Sequence, residues 1–409
     1  MKYDLIVIGG GPAGMYAAIT AGEKERRVLL LDKNDRLGKK LLITGKGRCN
    51  VTNHCSEQEV LQNIPKNSRF LYSAMAAHPP KAVMEFFEKN GCELKTERGN
   101  RVFPVTDRSA SILECLQNGL RKAGVTVLKE RVMEVLSTDS AVTGVRTEKE
   151  VYFADHVILA TGGLSYPTTG STGDGFRMAA ALGHTITPTE GSLVPLETAG
   201  EDCPKMQGLS LRNVAVKLLS EKGKVLYQDF GELLFTHFGV SGPTVLSASA
   251  HLKGERCRLV IDLKPALEES KLDERILRDL QMYKNRSMEN ALTDLLPRSM
   301  IPVVLERLGI DPVMQANSLK KQQRRALLEL LKGFSLEITG KRPVIEAIIT
   351  SGGIKVSEID PKTMESKLVS GLYFAGEIID CDAYTGGFNL QIAWATAYAA
   401  AVAAVEKNR

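Results

Sequence analysis

The chain has 409 residues, 43% hydrophobic and 25% charged, with 53 Lys and Arg against 48 Asp and Glu, a net charge of +5. This is an ordinary globular composition, and it excludes disordered, collagen-like and disulfide-dense chains. At roughly 150 residues per domain, two or three domains are expected. So small a surplus of positive charge argues against a nucleic-acid partner. Seven irregularly spaced cysteines point to a reducing, cytoplasmic setting rather than a disulfide framework.

The N-terminal apolar run is too short for a signal-peptide core. The Ala-rich stretch from Ile392 to Val405 is too short to span a bilayer and is expected to be a buried helix, so no membrane partner is foreseen.

Leu5-Ile6-Val7-Ile8 reads as a buried parallel strand, ending in Gly9-Gly10-Gly11-Pro12-Ala13-Gly14. A helix is predicted from there through Ala21, then a second buried strand over Arg27 to Asp32. This β-α-β unit places Gly9-x-Gly11-x-x-Gly14 between strand and helix, with an acid at the far end. Gly9 serves the tight turn, Gly11 the approach of a pyrophosphate, Gly14 the close packing of helix on strand. The helix N-terminus offers N–H groups and partial positive charge to phosphates, and Asp32 suits a ribose hydroxyl.

Helices are predicted over Pro80–Gly91 and Ser109–Ala123, the second with Ser109 as its cap. Strands are predicted at Val125–Leu128 and Val132–Leu136, a hairpin at Val142–Arg146 and Glu150–Phe153, and a third buried strand at His156–Ala160. After Gly191 the pattern changes to short strands: Leu193–Leu196, Val214–Leu218, Lys224–Tyr227, Leu233–Thr236 and Arg258–Ile261. Residues 268–331 look helical. From about Ile345 the chain returns to its first style, with a strand over Leu372 to Phe374 leading into Gly376-Glu377, and a last helix over Asn389 to Val405. The middle of the chain therefore reads as an insertion into one nucleotide-binding domain.

Only one dinucleotide fingerprint occurs. FAD is the expected occupant, because it is long enough to need contacts from distant segments. Ala160-Thr161-Gly162-Gly163 follows one strand, and Gly376-Glu377 follows another. Gly386-Gly387-Phe388-Asn389, continued by Leu390 and Gln391, opens the last helix. Its backbone N–H groups would face the flavin pyrimidine edge, where negative charge gathers on reduction. Asp380 and Tyr384 lie on the loop before it, either as cofactor contacts or as solvated residues of a surface turn. The basic, Gly-rich run through Lys39, Lys40, Thr44, Gly45, Gly47, Arg48, Cys49 and Asn50 could wrap the cofactor from the other side. Lys33, beside Asp32, and Val132 complete the expected set.

Cys49 is either a small apolar filler or a thiol facing the flavin. His237, between Phe235 and Phe238, is either a hydrogen-bonded core residue or an acid–base group. Tyr384 is the third catalytic candidate. His and Cys never cluster at ligand spacing, so no metal site is expected.

These motifs resemble a family of bacterial three-domain flavoproteins, the HI0933-like or BaiN-like NAD(P)/FAD-dependent oxidoreductases. The matching residues include Gly9 to Gly14, Lys39-Lys40, Thr44 to Asn53, Gly99 to Pro104, Ala160 to Gly163, Gly170 to Gly175, Leu234 to Pro243, Thr350 to Gly353, Gly376-Glu377 and Thr385 to Gln391. Two departures stand out. Asn100 separates Gly99 from Arg101, and Asp32 stands where a broader flavoprotein class has Glu.

The resemblance implies an α/β fold: a Rossmann-like FAD-binding domain, split in sequence, with an inserted β-barrel-like domain and a small helical domain. The division drawn from it gives residues 1–190 and 346–409 to the FAD domain, 191–265 and 333–345 to the β-rich insertion, and 266–332 to the helical part. It implies an FAD-dependent oxidoreductase acting on a small molecule between the FAD domain and the insertion, with NAD(P)H as a transient electron donor. The alternatives are a substrate-reduced amine oxidase-type enzyme and a flavoprotein of tRNA modification. Substrate, donor and oligomeric state stay open.

Overall fold

The unbroken apolar runs Leu5–Ile8 and Val28–Asp32 become adjacent parallel strands, every residue but Asp32 buried. They lie in a five-stranded sheet ordered Leu372–Phe374, Val157–Leu159, Leu5–Ile8, Val28–Asp32 and Thr126–Lys129, parallel throughout. A strand buried on both faces needs no polar alternation, which is why these segments read as continuous apolar runs. The computed structural model describes residues 2–252, 254 and 256–406. It divides into two compact units, Met1–Ser192 with Val344–Arg409, and Leu193–Pro343.

In the first unit, the helix Pro12–Gly22 is buried along nearly its whole length. The last helix, Phe388–Glu406, packs against it, with Tyr16 and Trp394 rings 5.3 Å apart. By length and composition this last helix could cross a membrane, but 72% of its apolar window is buried inside the protein. An apolar helix enclosed on all sides is a core element. A four-stranded sheet containing the hairpin Ala141–Thr147 and Val151–Ala154 flanks the core, as does a three-stranded one.

The helix expected near Ser109 spans Ser109–Lys122, but its N-cap is Arg108. The Ser109 hydroxyl donates instead to the Leu42 carbonyl at 2.8 Å, tying this helix to the segment after Lys39 and Lys40.

The second unit is a closed antiparallel barrel: Leu196–Thr198, Gly239–Ser241, Val225–Phe235, Ser210–Ser220, Cys257–Asp262 and Phe334–Lys341. Val214, Val216 and Leu218 alternate inward along one strand, as a half-buried sheet requires. The two short strands read at 224–227 and 233–236 are one strand, Val225–Phe235. Its exposed middle, with Gln228, Asp229 and Glu232 around Gly231 and an exposed Phe230, hides the strand, although backbone pairing from Val214–Gly231 to Leu218–Tyr227 carries it through. The strand read at Leu193–Leu196 is likewise displaced to Leu196–Thr198, because Leu193 has a left-handed backbone (φ 54°). Between the last two barrel strands run the helices Glu269–Met282, Met288–Ala291, Ile301–Leu308 and Lys321–Lys332.

Candidate cofactor site

At the C-terminal ends of the parallel strands, the first unit contains an open cleft. This is where open α/β sheets bind ligands. Gly9, Gly11, Pro12 and Ala13 line it from the first strand–helix turn, and Asp32 and Lys33 from the second strand. Ala160, Thr161 and Gly162 line it from the third, Gly376 and Glu377 from the last, and Asn389 and Leu390 from the final helix. Lys39, Lys40, Thr44 and Val132 complete the expected residues that reach it.

The fingerprint glycines divide the work sterically. A Cβ on Gly14 would sit 1.8 Å from the Gly9 carbonyl oxygen, so only glycine lets this helix meet the strand end. A Cβ on Gly11 would meet nothing within 4 Å. Gly11 carries an extended backbone (φ −79°) and no side-chain cap bond forms there, so the helix N-terminus keeps its first N–H groups available. Asp32 is fixed by the Gly10 N–H on Oδ2 (2.5 Å) and the Asn34 N–H on Oδ1 (2.7 Å). Each oxygen retains a lone pair for a hydroxyl.

Two charge clusters line the cleft. In one, Asp174 receives Lys33 (2.7 Å), Arg131 (3.2 Å) and Arg177. Burial opposes its ionisation, but these cations hold its carboxyl well below the usual carboxylate range. In the other, Lys40 Nζ donates to Glu377 Oε2 and to Ser165 Oγ, each at 2.5 Å. Ser165 Oγ donates in turn to Glu377 Oε1 at 2.9 Å, and the Thr350 N–H reaches the same oxygen at 3.0 Å.

The turn before the last helix is held rigidly. Asn53 Nδ2 donates to the carbonyls of Gly386 and Gly99, both at 3.0 Å. Asn389 Oδ1 accepts from the Ala383 N–H, and its Nδ2 donates to the Ala383 carbonyl. Gly387 (φ 97°) packs so tightly that a Cβ would lie 2.4 Å from the Thr52 carbonyl oxygen and 2.9 Å from Asn50 Oδ1. That Asn50 oxygen is buried without a hydrogen-bond partner. An orphaned acceptor beside a helix N-terminus fits a planar ligand that presents a ring N–H, as a flavin does. Neither Asn50 nor Gly387 is on the cleft wall, however; among the residues that are, the open face of Gly11 and the aligned Asp32 carboxylate suit FAD.

Other expected residues are placed elsewhere. Gly163 lies against Thr350 Oγ1 and Gly45 against Asn50, neither on the cleft wall, and Gly47 is outside it too. The Arg48 guanidinium is bound by Glu97 and Asp107 and lies 4.1 Å over the Phe103 ring, so its charge is spent in an ion cluster. Cys49 is 0% exposed, and burial pushes its thiol up to about 12, the behaviour of an apolar filler. Gln391 is buried between Thr52 Oγ1 and the His78 carbonyl, and Phe388 lies in the core. Asp380 pairs with Lys66 at 2.7 Å. Tyr384 is half-buried, with its N–H on the Asn63 carbonyl. His237 belongs to the second unit, exposed, its ring edge-on to Phe238. Arg101 donates to the Arg98 carbonyl in the turn that Asn100 enlarges.

The structure adds residues that the sequence reading passed over. Gly10, Asn34, Gly38, Glu130, Arg131, Gly170, Ser171, Asp174, Ile348, Ile349 and Cys381 also line the cleft. The Gly170–Gly175 motif carried the signal for three of them. Asp382, beside Cys381, is 2% exposed, with one oxygen on Ser192 Oγ (2.7 Å) and the other unpartnered. Burial raises its carboxyl pKa, against the hydrogen bond from Ser192.

Comparison with known proteins matches residues 3–403 to the HI0933-like protein Rossmann domain. The chain belongs to the HI0933-like family. It is an FAD-dependent oxidoreductase of that family. Among its relatives is a 3-dehydro-bile acid delta(4,6)-reductase of Clostridium scindens, 32% identical, with 98% of each chain covered. A ribosomal RNA dihydrouridine synthase of Escherichia coli is also 32% identical, over 98% of this chain and 97% of the relative. The fold is shared with a 3-ketosteroid delta1-dehydrogenase from Sterolibacterium denitrificans (TM-score 0.53, 13% identity, 99% and 100% covered). It is also shared with a 3-ketosteroid-delta4-(5alpha)-dehydrogenase from Rhodococcus jostii (TM-score 0.51, 16% identity, 99% and 97% covered).

Proposed function

We propose that the cleft holds FAD between the Gly9–Gly14 turn and the Gly386–Gly387 turn, and that the protein reduces a carbon–carbon double bond conjugated to a carbonyl, drawing electrons from NAD(P)H. The observation that carries the reading is the cleft itself, walled by the fingerprint, Asp32, Gly376-Glu377 and the start of the last helix. The two full-length relatives support the chemistry. A delta(4,6)-reductase acting on a 3-keto compound and a synthase of dihydrouridine both saturate a double bond activated by a carbonyl.

FAD supplies the hydride-transfer chemistry when bound. The protein's own groups do the rest. N–H groups at the start of Pro12–Gly22 receive the pyrophosphate. Asp32, aligned by Gly10 and Asn34, accepts from a ribose hydroxyl. The N-terminus of Phe388–Glu406, whose Asn389 and Leu390 line the cleft, stabilises negative charge at the pyrimidine edge. The acceptor we favour is a small molecule that reaches the cleft of the first unit. The Escherichia coli relative supports a second reading in which the acceptor is a uracil base in RNA.

The test is anaerobic addition of NADH and NADPH to the FAD-loaded protein, followed at the visible flavin band, then addition of a steroid 4,6-dien-3-one or a ribosomal RNA fragment. Bleaching by a nicotinamide and recovery of colour with the dienone is the expected result. Recovery with the RNA alone would move the acceptor to a nucleobase. A protein that stays yellow with both nucleotides would contradict the reading and mark an enzyme reduced by its own substrate, with small amines the first to try.

A further inference from the structure

We infer that the Lys40–Glu377 ion pair controls the reduction potential of the flavin in the cleft, with Ser165 and Thr350 as its positioning residues. The inference rests on the placement of FAD given under Proposed function. Both charged side chains line the cleft, and they are only 19% and 11% exposed. Water screens such a pair far less than it screens an exposed one, so its field acts on whatever lies beside it.

The pair is built to stay in place. Lys40 uses two of its three N–H donors, on Glu377 and Ser165. Glu377 Oε1 is held by Ser165 Oγ and the Thr350 N–H. Thr350 Oγ1 accepts from the N–H groups of Leu164 (2.8 Å) and Ser165 (3.1 Å), which fixes the loop carrying Ser165. Four segments far apart in sequence thus converge on one neutral pair. The cluster at Asp174 has separate partners, Lys33 and Arg131 near Asp32. The Lys40 pair is therefore a second electrostatic feature of the cleft, with partners separate from those of Asp174.

Reduction adds negative charge to a flavin. Removing the ammonium leaves the Glu377 carboxylate to oppose that charge, and removing the carboxylate leaves Lys40 to favour it. The two single substitutions must therefore shift the potential in opposite directions. A merely structural role predicts no such sign change.

The experiment is the midpoint potential of Lys40→Met, Glu377→Gln, the double variant, Lys40→Arg and Glu377→Asp, each at saturating FAD by equilibration with a reference dye. Lys40→Met should lower the potential and Glu377→Gln raise it, each by a tenfold change in relative affinity for reduced over oxidised flavin, about 30 mV for a two-electron couple. The double variant should return towards wild type, and the two charge-conserving variants should stay near it. Shifts of one sign, or unchanged potentials with FAD retained, would overturn the inference. Loss of FAD in both charge-removing variants would overturn it as well, by assigning the pair to holding the cofactor. Gly11→Leu is the control for the underlying placement: if it keeps full FAD affinity, the placement itself is wrong.

Discussion

Two parts of the cleft wall are made in different ways. The fingerprint part is local: residues 5–32 supply two strands, a helix, the glycine turn and Asp32 in one uninterrupted unit. The Lys40–Glu377 part is assembled from residues 40, 165, 350 and 377 through side-chain hydrogen bonds, three of them on Glu377. A locally encoded site is fixed by backbone geometry and fails sterically when changed. A site gathered across the chain is fixed by side-chain pairing and fails electrostatically.

The largest effect should come from the sterically fixed fingerprint. Gly14→Val places side-chain atoms where a Cβ alone is 1.8 Å from the Gly9 carbonyl oxygen. It should cost at least about 3 kcal/mol or prevent folding, read by urea unfolding. A wild-type midpoint would show that helix and strand can separate freely, and the comparison would lose its steric half.

Behind the cleft, His78 links the two helices that frame it. Its Nε2 meets the Tyr16 hydroxyl at 2.6 Å, and its ring stacks on Tyr398 at 4.3 Å. Burial pushes the imidazole down to about 4, from 6.5 for a free one. Between those values the unfolded chain binds the extra proton and the folded chain does not, so stability falls as pH drops through that window. The loss should approach roughly 3 kcal/mol. Unfolding of wild type and His78→Gln at pH 7 and pH 4.5 should show a shallower pH slope in the variant; equal slopes would contradict the assignment.

The smallest effect belongs to Arg48. Its partners Glu97 and Asp107 are partly exposed, so Arg48→Ala should cost less than about 1 kcal/mol and leave FAD affinity unchanged. A clear loss of FAD would return Arg48 to the cofactor site.

The same contrast explains what could be read from the sequence. Buried parallel strands, the glycine fingerprint and Asp32 are periodic or contiguous signals, and they lie where the pattern puts them. Lys40 and Glu377 could each be named from sequence, but their pairing could not, because 337 positions separate them. Arg48, Cys49 and Gln391 share a glycine-rich or helix-start context with true lining residues. Whether such a side chain turns to the cleft or to the core depends on Glu97, Phe103, Thr52 and His78, which lie on other elements. Asp382 gave no signal at all, since its burial comes from the surrounding fold.

The central claim is that FAD lies along the fingerprint helix, and Gly11 tests it most directly. Because Gly11 has an extended backbone and open space beyond its Cα, Gly11→Leu should fold with wild-type stability. Titration of the FAD-free proteins with FAD, followed by visible absorbance, should show affinity weakened about a hundredfold or more in the variant. Equal affinities for the folded variant and wild type would contradict the account.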